Sequence, residues 1–143
     1  MSENNKIIGK FGEKIAASYL ENLNHEIIYK NFKCRYGEVD IIAISGQDLI
    51  FIEVKTRHNI NYGFPFESVN GIKLEKIKKI SQYFLLRENY FEKNNFNIRF
   101  DIISIIISNE LMNAVLIEKD INPIIISNLK EGIDFSLEHI KII

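Results

Sequence analysis

Cysteine occurs once, at Cys34, so no internal disulfide can staple this chain, which suits a reducing cytosol. Cys34 also lacks a Cys or His partner at zinc-ligand spacing; His25, His58 and His139 are scattered, and Cys34 reads as a packing residue. Only 2 prolines and 7 glycines are present, with no Pro/Gly-rich stretch to mark a linker and no internal repeat. No apolar run approaches the roughly 18 residues of a membrane-spanning helix, and no basic-then-apolar leader is recognisable. We therefore expect a cytoplasmic protein with no membrane contact. A basic surplus is missing too: 18 Lys and Arg stand against 19 Asp and Glu, a net charge of −1. That balance argues against an obvious nucleic-acid binder, although the distribution of charge matters more than its total. What is present is ordinary for one globular domain: 143 residues, 46% hydrophobic and 26% charged.

The most informative stretch is GEVDIIAIS (37–45), then Gly46-Gln47, then DLIFIEVKTR (48–57). Two apolar, β-branched-rich runs around a short Gly-containing turn predict a hairpin. A two-residue loop sets Asp40 opposite Glu53 and Glu38 opposite Lys55. Period-two alternation then turns all four to one face, with Ile42, Ile44, Leu49 and Phe51. Val39, Ile41, Ala43, Ile50, Ile52 and Val54 form the other face. Strands apolar on both faces are central strands, covered above and below. Opposed carboxylates with Cβ atoms about 5 Å apart repel by roughly 3 kcal/mol at an effective dielectric of about 20. Two arrangements relieve this: a solvated strand end with a salt bridge to Lys55, or a hard divalent cation held by the carboxylate oxygens.

A lone Asp, a spacer containing a turn, and Glu-x-Lys on the next apolar strand resemble the PD-(D/E)XK nuclease signature, with Val39 where the label has proline. The order of motifs is similar to that of the YraN family of small bacterial proteins, which share the fold of archaeal Holliday-junction resolvases. The matching pieces are Gly12-Glu13 with Ala16, Tyr19 and Leu20, then Asn31, Arg35, Gly37-Glu38 and Asp40. Phe51 to Arg57, Gly63, Lys73 and Arg99-Phe100-Asp101 complete the set. Asn24 stands where the family usually has glycine, and Asn tolerates the same left-handed backbone. The resemblance runs from about Ile7 to Lys119, so residues 1–119 are expected to form a nuclease-like domain. Residues 120–143 are expected to be an extension packed on the same domain.

The resemblance implies a Mg²⁺- or Mn²⁺-dependent phosphodiesterase site. Asp40, Glu53 and the main-chain carbonyl of Val54 would hold the metal, Lys55 would orient or help deprotonate the attacking water, and Glu13 would reach in from the first helix. Arg57 and Lys73 would meet the nucleic acid, and a homodimer is plausible by analogy with the resolvases. Two functions remain open at this point. One is a metal-dependent endonuclease on branched or otherwise structured DNA, in recombination or repair. The other is a non-catalytic nucleic-acid-binding or adaptor module that retains the fold.

The coarse layout is α/β: a restriction-endonuclease-like mixed sheet flanked by helices, in the order α-β-β-β-α-β-β. A first helix is predicted from Asn5 to Leu23, where Ile7, Phe11, Ile15, Tyr19 and Leu23 recur at helical spacing. Glu13 falls at the border of that stripe, free either to turn inward or to pair with Lys10. A strand follows from Glu26 to Lys30, then the hairpin, then a loop over 58–66 and a second helix from Glu67 to Arg87. Arg99 to Ser108 reads as a buried strand and Asn113 to Glu118 as its antiparallel neighbour. Asp101 is expected to pair with Arg99. Lys6, Lys10 and Lys14 share one helix face, and Lys73, Lys76, Lys78 and Lys79 cluster on the other helix. Each row alone is an ordinary solvated face; together with Lys55 and Arg57 they could line a phosphate path. His58 and the apolar pieces after Ile121 are given no role.

Overall fold

The computed structural model describes residues 2–58, 71–120 and 126–142, without the side chains of residues 71–73, 90 and 92. Five strands form one mixed sheet in the order β1-β2-β3-β4-β5. They are β1 (Glu26–Cys34), β2 (Gly37–Ser45), β3 (Asp48–Arg57), β4 (Asn97–Ile107) and β5 (Phe135–Lys141). Only β3 and β4 run parallel, and the helices α2 (Gly71–Arg87) and α3 (Asn89–Lys93) lie in the connection between them. The start expected for α2 at Glu67 and the loop with Gly63 and Pro65 lie outside the described residues.

The helix α1 (Glu3–Asn22) begins at Ser2, whose hydroxyl accepts from the Asn5 N–H. It ends at Asn24, in the left-handed region at φ 63°, where the Asn24 and His25 N–H groups return to the Glu21 and Leu20 carbonyls. Its buried stripe, including Phe11, Ile15 and Leu20, covers one face of the sheet against Ile41, Ile50, Ile52 and Ile103. The opposite face packs Phe32, Leu49, Phe51 and Phe100 under Ile80 and Phe84 of α2. Both faces of the central strands are therefore dry, as their continuous apolar pattern predicts.

The hairpin register is as expected, with Ile41 facing Ile52 and Ser45 facing Asp48 across a turn in which Gly46 holds φ 59°. The paired ladder stops at Ile41–Ile52. The assignment of Val39 is corrected: it packs on the α2 face with Ile42 and Leu49, not with Ile41. The cause lies in the β1–β2 pairing. Phe32 faces Val39 and Lys30 faces Ile41, while Asn31, left-handed at φ 54°, sits between them across from Asp40. An irregular residue of this kind breaks the alternation of a strand, and here Val39 and Ile41 fall to opposite faces although they are two residues apart.

A second correction concerns Asn113 to Glu118, which is helical, not a strand. It belongs to α4 (Asn109–Glu118), capped by the Ser108 hydroxyl on the Leu111 N–H. Leu111 and Val115, four residues apart, are its buried contacts, so a helical stripe overrides the β-branched composition. The antiparallel neighbour of β4 is instead β5, from the segment that had no assigned role. The order is thus α-β-β-β-α-β-α-β with the short α3 added, a five-stranded α/β sheet between helical layers.

Candidate functional site

Asp40 sits where the β2–β3 ladder ends, and its carboxylate accepts the Val54 N–H at 2.8 Å. It therefore lies in the gap between the two strands, which its own side chain bridges. Glu13 arrives from α1. Its helix can come this close because Gly12 is next to it: a Cβ there would overlap Thr56 Oγ1, a buried hydroxyl with no hydrogen-bond partner among the described residues. Glu13 then hydrogen-bonds Asp40 and accepts from the Asn31 amide. Of the two positions open to Glu13 in the sequence, the inward one is taken.

Two acids in one half-buried corner cannot both ionise cheaply. Burial, then the charge of Asp40 and the hydrogen bond between them, raise Glu13 from 4.5 to about 7, with Glu38 adding to the effect. Asp40 is raised as well, first by burial and then by Glu53, against the opposing pull of the Val54 N–H, Glu13 and Lys55. Of the two, Glu13 is the one that takes up a proton as pH falls toward 7, and its protonated carboxyl then donates a hydrogen bond to Asp40.

Glu53 and Lys55 stand on the α2 side of β3, since they alternate with buried Phe51. Their ion pair is 2.9 Å long, with both side chains about one-quarter exposed (25% and 23%). Glu38 does not face Lys55 as the extended hairpin predicts. It pairs across the other edge of β2 with Lys33 at 3.8 Å, because the β2–β3 ladder has already opened and β1 is its neighbour. Arg57 is half-buried at the end of β3, donating to the Thr56 carbonyl at 3.2 Å. Lys73 is in the first turn of α2, but its side chain lies outside the described residues. Asn31 is the site residue to which sequence reasoning gave no role; its left-handed backbone and its hydrogen bond to Glu13 are not signalled by spacing. His58 lies beyond Arg57 beside a cavity of about 340 Å³ that Ser108, Asp134 and Phe135 also line.

The donor set of Glu13, Asp40 and Glu53 is all carboxylate oxygen, the chemistry that suits a hard divalent cation. Among the described residues, no three Asp, Glu, His or Cys side chains already converge as a metal-binding group. Glu13 and Asp40 hydrogen-bond each other, and Lys55 holds the third acid. Asp101 is separate. Its carboxylate takes the Arg99 guanidinium at 3.0 and 2.9 Å and His139 Nε2 at 2.6 Å, so the expected pairing with Arg99 forms and is joined by an unexpected partner from β5.

A model of the uncharacterised protein family UPF0102 matches residues 12–105, which contain Glu13, Asn31, Asp40, Glu53 and Lys55. A UPF0102 protein of Caldanaerobacter subterraneus subsp. tengcongensis is 40% identical over 119 residues, covering 83% of this chain and 95% of that one. One from Clostridioides difficile is 41% identical over 113 residues, covering 79% and 96%. A third, from Geobacter sulfurreducens, is 46% identical over 106 residues, covering 74% and 80%. The chain belongs to the UPF0102 family, which is the YraN family.

Proposed function

We propose that the protein is a Mg²⁺- or Mn²⁺-dependent endonuclease that hydrolyses phosphodiester bonds in structured or branched DNA. The observation that carries this reading is the Glu13–Asp40 pair. The fold brings two carboxyl groups together beside the Glu53–Lys55 pair, where the β2–β3 ladder opens. Buried charge is normally paired or coordinates a metal. Asp40 and Glu53 would hold the ion with the main-chain carbonyl of Val54, which faces the same gap as the Val54 N–H. The bound ion would supply Lewis acidity toward a phosphoryl oxygen and lower the pKa of its water.

The remaining roles belong to this chain's own groups. Asp40 is fixed through the Val54 N–H and leans on Glu13, which in turn is oriented by Asn31. Lys55 is tethered by Glu53, and its ammonium would orient the attacking water and stabilise charge growing on the phosphate. Arg57, at the same strand end, would meet the phosphate backbone. The requirement for an ammonium between acids separates this arrangement from a glycosidase carboxylate pair.

The test is cleavage of labelled four-way-junction, flap, single-strand and duplex DNAs with Mn²⁺ or Mg²⁺, using wild type and Glu53→Ala purified identically. Metal-dependent cutting that disappears in Glu53→Ala is the expected result. Binding without cutting, equal in both proteins, would instead select an adaptor that retains the fold.

A further inference from the structure

The sheet end that carries Asp40 and Lys55 also carries a strip of cations and aromatic rings that hydrolysis itself does not use. The turn between β1 and β2 presents Arg35 and Tyr36, and Gly37 follows at φ 135°. The Arg35 guanidinium lies 4.8 Å from the Tyr36 ring centroid and donates to its hydroxyl at 2.6 Å. Tyr36 in turn meets Tyr83 of α2 edge-on, with centroids 6.3 Å apart. Lys76, two turns before Tyr83 on α2, passes Gly37 so closely that its Cδ is 3.4 Å from where a Cβ would stand. Both tyrosines are half-buried, while Arg35 and Lys76 are exposed and have no ion-pair partner among the described residues. Because α2 covers the sheet face to which Phe51, Glu53 and Lys55 belong, Tyr83 and Lys76 are on the same side as the ammonium of Lys55.

We propose that this strip is a stacking platform for an unpaired nucleobase beside the scissile phosphate, with Tyr36 and Tyr83 taking the base and Arg35 and Lys76 its flanking phosphates. Aromatic faces accept any base, and each stacked base contributes about 1–3 kcal/mol. Cations without acid partners are free to neutralise phosphates. Since the whole chain carries no basic surplus, attraction to a duplex by bulk charge is weak. Stacking gives a local alternative that a fully paired duplex cannot use. The preferred substrates are therefore nucleic acids with a single-stranded segment at the cleavage point, such as a flap or a splayed end. The position of the scissile phosphate rests on the hydrolytic reading; the platform itself does not.

The chain contains no tryptophan, so Tyr36→Trp introduces a single reporter ring at the platform. Binding of a single-stranded DNA, the same sequence as RNA, and a blunt duplex is measured in EDTA, by anisotropy of the labelled strand and by tryptophan fluorescence. The expected result is quenching of Tyr36→Trp by the single strands but not by the duplex. Tyr36→Ala should weaken strand binding about tenfold, within the range for loss of one stacked base, and melt as wild type does. A clear preference between the DNA and RNA arms identifies the polymer. If strand and duplex bind equally, or if Tyr36→Ala binds as wild type and Tyr36→Trp is not quenched, the platform is wrong. Strand-selective binding without any metal-dependent cutting would sink hydrolysis and leave the platform standing. Glu53-dependent cutting with binding insensitive to Tyr36 would do the reverse.

Discussion

Asp40 and Asp101 are both carboxylates on central strands of the same sheet, one on β2 and one on β4, yet their surroundings are opposite. Burial pushes Asp101 up, but His139 and Arg99 overcome it and hold the carboxyl below its ordinary value. Both of its oxygens accept hydrogen bonds, and Arg99 reaches on to Asp48 at 3.0 Å. Burial pushes Asp40 up as well, and there the charge of Glu53 adds to it, so the shift survives the opposing hydrogen bonds of Val54 and Glu13 and the charge of Lys55. Asp101 is a finished structural joint that ties β5 to the body of the sheet; through His139 Nδ1 and the Tyr19 hydroxyl, 2.9 Å apart, the joint continues into α1. Asp40 is an unfinished one. A carboxylate can be assigned to structure or to chemistry by asking whether its charge is already compensated.

Breaking the finished joint should have the larger effect. In Asp101→Asn the Arg99 and His139 side chains lose the carboxylate charge and one of its two acceptor oxygens in a fully buried position, and breaking such a buried ion pair costs about 3 kcal/mol or more. Asp48 remains for Arg99 and keeps the loss near that lower bound. In Asp40→Asn the amide still offers an oxygen to the Val54 N–H, while the repulsion with Glu53 is gone. Urea denaturation should therefore show a large loss for the first variant and none, or a gain, for the second. Equal losses would mean that the two sites are alike after all.

Metal sharpens the same contrast. Mg²⁺ or Mn²⁺ at about a hundredfold its dissociation constant should stabilise wild type by about 2.7 kcal/mol. Asp40→Asn should lose that increment, whereas Asp101→Asn, however destabilised, should keep it. A melting temperature indifferent to millimolar metal in wild type would remove the premise that the unfinished site awaits a cation.

The closeness that produces the site can be broken without touching an acid. Gly12→Ala places a methyl against Thr56 Oγ1, and overpacking of this sort costs about 2 kcal/mol. To relieve it, α1 must lift from β3, carrying Glu13 away from Asp40. The variant should be less stable and should also show a weaker proton affinity at Glu13, read from the pH dependence below. Gly9→Ala, with open space around the added carbon, controls for helix propensity.

How far the sequence reveals this depends on the physics of each element. The hairpin register was legible because a Gly-containing two-residue turn admits few pairings, and the observed Ile41–Ile52 pair is the expected one. The partners of Asp40 were legible only in part. Alternation is a rule for unbroken strands, and the left-handed Asn31 across from Asp40 reverses it through a backbone angle that no side-chain pattern announces. Glu13 stood at the border of a helical stripe, and its direction was decided by the depth to which α1 packs at Gly12, a tertiary property. The segment 113–118 misled because its apolar, β-branched composition reads as a strand while Ser108 and the Leu111–Val115 spacing make it a helix. Asp101 was recognisable as paired with Arg99, two residues away, but not with His139, which is 38 residues distant.

The smallest expected effect separates the two carboxylate clusters by sign. Unfolded, Glu13 ionises near 4.5; folded, near 7. Between those values the folded chain binds the extra proton, so stability is full below about pH 4.5, declines as pH rises to 7, and levels off above. Asp101 acts in the opposite sense. Its folded value lies below the ordinary 3.8, so its contribution is present above that pH and is lost as pH falls beneath it. Urea midpoints measured at constant ionic strength should therefore decline gently from about pH 5 to about pH 8 in wild type, and the decline should shrink in Glu13→Gln, where the raised Asp40 remains. The acid limb, by contrast, should persist in Glu13→Gln and shrink in Asp101→Asn. Because Glu13 is partly solvated, water screens the effect and the slope will be shallow. Its direction is what discriminates: a Glu13→Gln protein that keeps the wild-type decline would show that the shared proton resides elsewhere, and the uncompensated pair would no longer mark the site.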